Sequence, residues 1–128
     1  MTAFSARKLT DARRAEACAR IDAAAEVARL AFITPGAGQM LVYEQKLREA
    51  EAFLADDTIA EDLIPHVVAE VGVTAETKHQ VATVIVWMRD AWLQVSPMIE
   101  RRRLEAKAAA MSAMTLAELE AAEAAPMI

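Results

Sequence analysis

Apolar positions recur along this chain at alternating steps of three and four residues, the spacing that puts side chains on one side of a helix. Cys18, Ile21, Ala25, Ala28 and Phe32 follow that rhythm and predict a first helix over 5–33, started by Thr10 or Asp11. Met40, Tyr43, Leu47, Ala50 and Leu54 repeat it in a second helix over 35–55, with Glu44, Gln45, Lys46, Arg48, Glu49 and Glu51 on the other faces. Glu44 and Arg48, four apart in the favourable order, are expected to pair on its surface. Between the two lies the corner Thr34-Pro35-Gly36-Ala37-Gly38. Thr34 is expected to cap the second helix, with Pro35 at its first position and Gly36 and Gly38 leaving room for a neighbouring backbone.

The remaining elements follow from caps and breakers. Thr58 and Glu61 fit a capping box or a polar loop, and a short helix over 63–71 opens at Pro65 and closes at Gly72. Thr74 is expected to cap a long helix over 75–114 on which Val81, Ile85, Met88, Trp92, Val95 and Ile99 keep the register. Its β-branched stretch at 81–86 has strand propensity, but the register extending through Trp92 favours helix. Ser96-Pro97 either kinks this helix or restarts it. Thr115 and Glu118 give a second capping box and a last helix over 116–124. The reading is all-α: one helical domain over 1–128, with an antiparallel hairpin, a long helix and short terminal helices packed as a bundle or coiled coil. Ile21, Phe32, Met40, Tyr43, Leu47, Leu54, Val81, Ile85, Met88 and Trp92 are its expected core or interaction residues.

Composition narrows this picture. The chain has 128 residues and is 55% apolar, but 30 of those residues are alanine, which buries little. Its seams therefore allow close helix approach and add little area per contact, so association with copies or partners is expected to contribute to stability. The net charge of −5, with eight acidic and two basic residues between Thr34 and Thr74, weighs against nucleic acid as a partner. No apolar run approaches a membrane span, and no apolar stretch follows the charged start as a secretion signal would require, so synthesis in a cytosol is expected.

Candidate chemistry is sparse. His66 and Glu70 share a helical face, which would hold a metal only with further ligands, and a boundary histidine beside a carboxylate is the plainer reading. His79 stands among polar neighbours and is expected to be solvated. Cys18 is a lone cysteine in an alanine pattern, and Ser5, Ser96 and Ser112 have no nucleophile pattern around them. Asp56-Asp57 and Glu61-Asp62 are expected to be a solvated acidic connection. Three consecutive arginines, Arg101, Arg102 and Arg103, wrap a helix in 100° steps. They form a solvated collar or pair with the acidic middle of this or another copy. No catalytic residue, metal or cofactor is expected. Trp87 lies off the main stripe, which implies a wide buried face or a second partner.

The segment from Ala31 to Leu54 resembles one in small alanine-rich proteins of tailed bacteriophages and prophages. Ile33-Thr34-Pro35-Gly36-Ala37-Gly38-Gln39 carries the similarity, with Tyr43, Lys46 and Glu49-Ala50. Farther on, Ala69-Glu70-Val71-Gly72-Val73-Thr74, Trp92, Ile99-Glu100, Arg103-Leu104 and Ala106-Lys107-Ala108 are also similar. The resemblance implies a tail, tail-fibre or baseplate component in the virion, made in the bacterial host cytoplasm, with phage tail proteins or copies of itself as partners. It implies no catalytic residues, and no enzyme activity, small-molecule substrate or membrane insertion is expected of the chain. The alternative is a tail-fibre assembly chaperone or adaptor that leaves before the virion matures.

Overall fold

A computed structural model describes residues 9–128; residues 5–8, the expected start of the first helix, and Ser5 with them, lie outside the described residues. Five α-helices carry the fold, and the described residues form no β-strand: α1 (Asp11–Arg29), α2 (Ala37–Ala55), α3 (Pro65–Glu70), α4 (Lys78–Ser112) and α5 (Leu116–Glu123), with a 3₁₀ turn at Glu61–Leu63. The architecture is all-α, as the periodicity requires. By its internal contacts the chain divides into two compact units, Met1–Ile33 with Val95–Ile128 (unit 1) and Thr34–Gln94 (unit 2). The two helices expected to form a hairpin, α1 and α2, therefore belong to different units. α4 is one helix with Pro97 inside it, and it contributes to both.

Unit 1 is built around alanine. Ala17, Ile21 and Ala25 of α1 share a buried cluster with Ile99, Ala106 and Ala110 of α4, and Leu119 and Ala122 of α5. Cys18 and Ala28 of the expected seam lie partly buried at its edge. Small side chains bring helix axes close, where dispersion gains and backbone approach replace large buried area. Thr10 caps α1 by accepting from the Arg13 N–H at 3.0 Å. Thr115 caps α5 by accepting from the Glu118 N–H at 3.1 Å, and Glu118 reaches back to the Met114 N–H at 3.4 Å. The Thr115 half of the expected capping box forms, and Glu118 bonds the amide just before the cap in place of that of Thr115 itself.

Unit 2 has larger core residues: Phe53, Ile64, Val67, Val81 and Ile85 pack with Ala50 and Ala82. Here the expected register of α2 needs correction. Leu54 and Met40 are exposed, while Ala50 and Phe53 are buried and Leu47 lies partly against them. The inward face runs through 46, 49, 50 and 53, because α3 packs against α2 at this end. The heptad chosen from the sequence took Leu54 over Phe53, its equally apolar neighbour. On α4, Val81 and Ile85 are buried as expected, but Met88 is exposed and Trp92 is half-buried. Inward positions there include Ala82 rather than the next member of the stripe.

Several caps also moved. Gly36, not Thr34, is the N-cap of α2, at φ +116°, a backbone that favours glycine. Pro35 consequently precedes the helix, and Thr34 accepts a hydrogen bond from the Tyr43 hydroxyl at 3.1 Å. Open space surrounds Gly36 and Gly38, so no backbone approaches there. Thr77, not Thr74, caps α4, accepting from the Gln80 N–H at 3.1 Å. Thr58 turns back to Asp56, whose Oδ1 accepts from its N–H at 3.0 Å and its hydroxyl at 2.6 Å, so the polar-loop reading holds there. Gly72, at φ +85°, reverses the chain just after α3.

Candidate functional site

The most concentrated polar arrangement lies in unit 2, at the start of α3. That six-residue helix is too short to be stable by itself, and its leading N–H groups need acceptors. Pro65 removes one of them by having no N–H. The Glu49 side chain, reaching from α2 and 1% exposed, supplies the rest. Its Oε1 accepts from the backbone N–H of His66 at 2.6 Å and of Val67 at 3.2 Å. Its Oε2 lies 2.6 Å from His66 Nδ1 and accepts from Gln45 Nε2 at 3.0 Å. Burial by itself would raise the Glu49 carboxyl, but the bonds from His66, Gln45 and the two backbone N–H groups outweigh it and hold the carboxyl below its ordinary range.

His66 is thus beside a carboxylate, but the carboxylate is Glu49 and not Glu70. Glu70 instead accepts from Lys46 Nζ at 3.2 Å and from the Thr74 hydroxyl at 2.6 Å. A buried carboxylate holding one imidazole nitrogen can orient the ring for proton transfer, yet Glu49 is already committed to the α3 backbone. Among the described residues no group of three His, Cys, Asp or Glu side chains is placed to hold a metal ion. His79 is exposed, with its ring edge-on to Phe53 at 6.5 Å between centroids. Neither expectation nor register pointed to Glu49: a glutamate on an otherwise charged stretch carries no signal of burial until α3 is seen to begin against it.

The arginine run meets different partners from those expected. Arg103 bonds Asp22 of α1 at 2.8 Å and Glu100 at 2.6 Å, and Lys107 joins Asp22 at 3.0 Å. Arg101 pairs with the exposed Glu105 at 3.1 Å. Arg102 makes no hydrogen bond or ion pair among the described residues and lines an open groove between α4 and α5 floored by Ala106, Ala109, Ala121 and Ala125. The expected Glu44–Arg48 pair does not form, and Arg48 donates instead to Gln45 Oε1 at 2.8 Å.

Large apolar side chains remain on the surface. In unit 2 these include Leu41, Leu54, Trp87 at 68% exposure and Met88. In unit 1 they include Leu104, Met111, Met114 at 81% and Leu116. Of the expected core or interaction residues, Ile21, Val81 and Ile85 are buried, and Tyr43, Leu47 and Trp92 are intermediate. Phe32, expected on the first helix, is exposed in the turn after α1 ends at Arg29, and Met40, Leu54 and Met88 are exposed because each falls just outside the face its helix turns inward. No protein-family model, curated protein or solved structure matches the chain. No helix among the described residues is long and apolar enough to cross a membrane.

Proposed function

We propose that this chain is a non-enzymatic helical protein that works by packing against other proteins, as a structural or accessory component of a phage tail, tail-fibre or baseplate region. The observation that carries association is the large exposed apolar surface on a small, alanine-cored fold, with Val73, Met114, Val27, Trp87 and Leu41 its most exposed large members. The phage setting rests on the resemblance through Ile33–Gln39. Its action is mechanical: rigid helical units present faces, and copies of the chain or tail proteins cover them.

A second reading is favoured by the methionines. Met40, Met88, Met98, Met111 and Met114 are all exposed, and flexible thioethers suit a face that accepts varied partners. That is the behaviour of an assembly chaperone. Quantitative mass spectrometry of purified particles separates the two: a structural component is present in fixed copy number. A chaperone is missing from particles and co-purifies with fibre protein from the lysate. A chain that is strictly monomeric and found in neither fraction overturns both.

A further inference from the structure

The bond between His66 and Glu49 decides which nitrogen of the imidazole is free to react. Glu49 Oε2 already accepts from Gln45 Nε2, and an ionised carboxylate only accepts, so the proton of the neutral ring sits on Nδ1 and is donated to Oε2 at 2.6 Å. Nε2 is then left with the lone pair. It lies on the far side of the ring from the buried carboxylate, on a side chain that is 37% exposed, and has no hydrogen bond among the described residues. The ring is also held in place, because the backbone N–H of the same residue donates to Glu49 Oε1 at 2.6 Å. His79, the other histidine of the chain, is exposed and has no carboxylate on its ring among the described residues.

The buried carboxylate selects among the partners such a nitrogen can take. A metal ion needs further ligands, and among the described residues no group of three supplies them. An acyl group on Nε2 makes the ring a poor base that gives up its Nδ1 proton, which turns a lone pair toward Glu49 and breaks the bond. A phosphoryl group on Nε2 leaves the proton on Nδ1 and a positive ring against the carboxylate, so the same bond becomes charge-assisted on both sides. We propose that His66 Nε2 is a phosphoryl acceptor positioned by Glu49. The Nε2 lone pair forms the nitrogen–phosphorus bond while the bond from phosphorus to the donor's leaving group breaks. The leaving group departs with that electron pair, Nδ1 keeps its proton, and nothing is oxidised or reduced. Glu49 touches neither phosphorus nor leaving group and acts through the ring.

The test treats the full chain with phosphoramidate, a donor from which ammonia leaves, at about pH 8, above the ordinary imidazole value. Phosphorus NMR and peptide mass spectrometry are expected to place the label on Nε2 of His66, formed about tenfold faster than any on His79. Nitrogen NMR of the untreated chain is expected to find the His66 ring protonated on Nδ1. Glu49→Gln, whose amide carries no charge to balance the ring, brings the His66 rate down to that of His79 while far-UV circular dichroism stays unchanged. Where that variant loosens α3, Gln45→Ala takes its place: it removes the competing donor to Oε2 and labels at least as fast as the wild type.

Equal rates at His66 and His79 in the folded wild type overturn the proposal. So does a label on Nδ1, a His66 rate unchanged in folded Glu49→Gln, or one that falls to the His79 rate in folded Gln45→Ala. None of these outcomes bears on association, which is read from particles and oligomeric state.

Discussion

Each unit finishes one helix end with a side chain sent from a neighbouring helix, and the two do it with opposite charges. In unit 2, Glu49 of α2 accepts the leading N–H groups of α3. In unit 1, Arg14 of α1 donates to the Ala113 carbonyl, just past the end of α4, at 3.0 Å. A carboxylate at a helix start and a guanidinium at a helix end both oppose the helix dipole. The surroundings differ, however. Glu49 is buried and fully bonded within a bulky core, whereas unit 1 spreads its polar links over half-exposed pairs around an alanine core. Arg13 and Arg20 hold Glu123, Arg29 holds Glu100, and Arg103 and Lys107 hold Asp22. Both units carry half-exposed pairs, which in unit 2 are Lys46–Glu70, Lys78–Glu61 and Arg89–Glu51, but unit 2 adds a buried one and concentrates it in Glu49.

The largest expected effect tests that concentration. Glu49→Ala leaves two backbone N–H groups, Gln45 and His66 without their acceptor, and is expected to cost about 3–5 kcal/mol. Both tryptophans, Trp87 and Trp92, lie in unit 2, so intrinsic fluorescence in a urea titration reads this loss there. Glu49→Gln, which keeps one acceptor oxygen, loses less. Equal effects from Glu49→Ala and Glu123→Ala would remove the contrast between the units.

The next effect fixes the register of α2. Phe53→Ala is expected to cost about 3–5 kcal/mol as a buried aromatic, and Leu54→Ala to stay within about 0.5 kcal/mol as a surface change. The reverse order in the same titration would restore the heptad read from the sequence.

Acid and salt then test the buried group against the half-exposed pairs. Arg103 followed by Lys107 lowers the Asp22 carboxyl, Arg103 lowers Glu100, and Arg13 lowers Glu123. With Glu49, all four have folded values below their unfolded ones. Their stabilisation is therefore present above about pH 4.5 and is lost as pH falls through the depressed folded values. At neutral pH, 1 M salt screens the half-exposed pairs of both units and leaves buried Glu49 nearly untouched, so the loss caused by Glu49→Ala is expected to be nearly the same at low and high salt in the fluorescence titration.

The smallest effect is a gain. Gly38 sits in the first turn of α2 at ordinary φ with open space around it, so Gly38→Ala is expected to stabilise unit 2 by about 0.5–1 kcal/mol in the fluorescence titration. Gly36→Ala, at φ +116°, goes the other way.

Local signals in the sequence led to local structure. Thr10, Thr115, Pro65 and Gly72 act at the ends where their chemistry puts them, the three long helices are legible in their periodicity, and the two short ones in their caps and breakers. What escaped was tertiary. An alanine-rich helix has several faces of nearly equal apolarity, so the choice of Leu54 over Phe53, or Met88 over Ala82, is made by the neighbour and not by the helix. The same holds for the candidate faces: Trp87 stood out as lying off the stripe, whereas the Arg102 groove exists only once α5 folds beside α4. Glu49 was hidden for a further reason, since its donors belong to residues 17 and 18 positions away.

The Glu49 bond network also sets an order in time. A helix of six residues has no independent nucleus, so α3 cannot persist until α2 is formed and delivers the carboxylate. In hydrogen-exchange terms, the Val67 amide is guarded by a group on another helix, and its protection reports the docking of α2 rather than the winding of α3. Two adjacent amides, those of His66 and Val67, become a clock for the assembly of the whole unit.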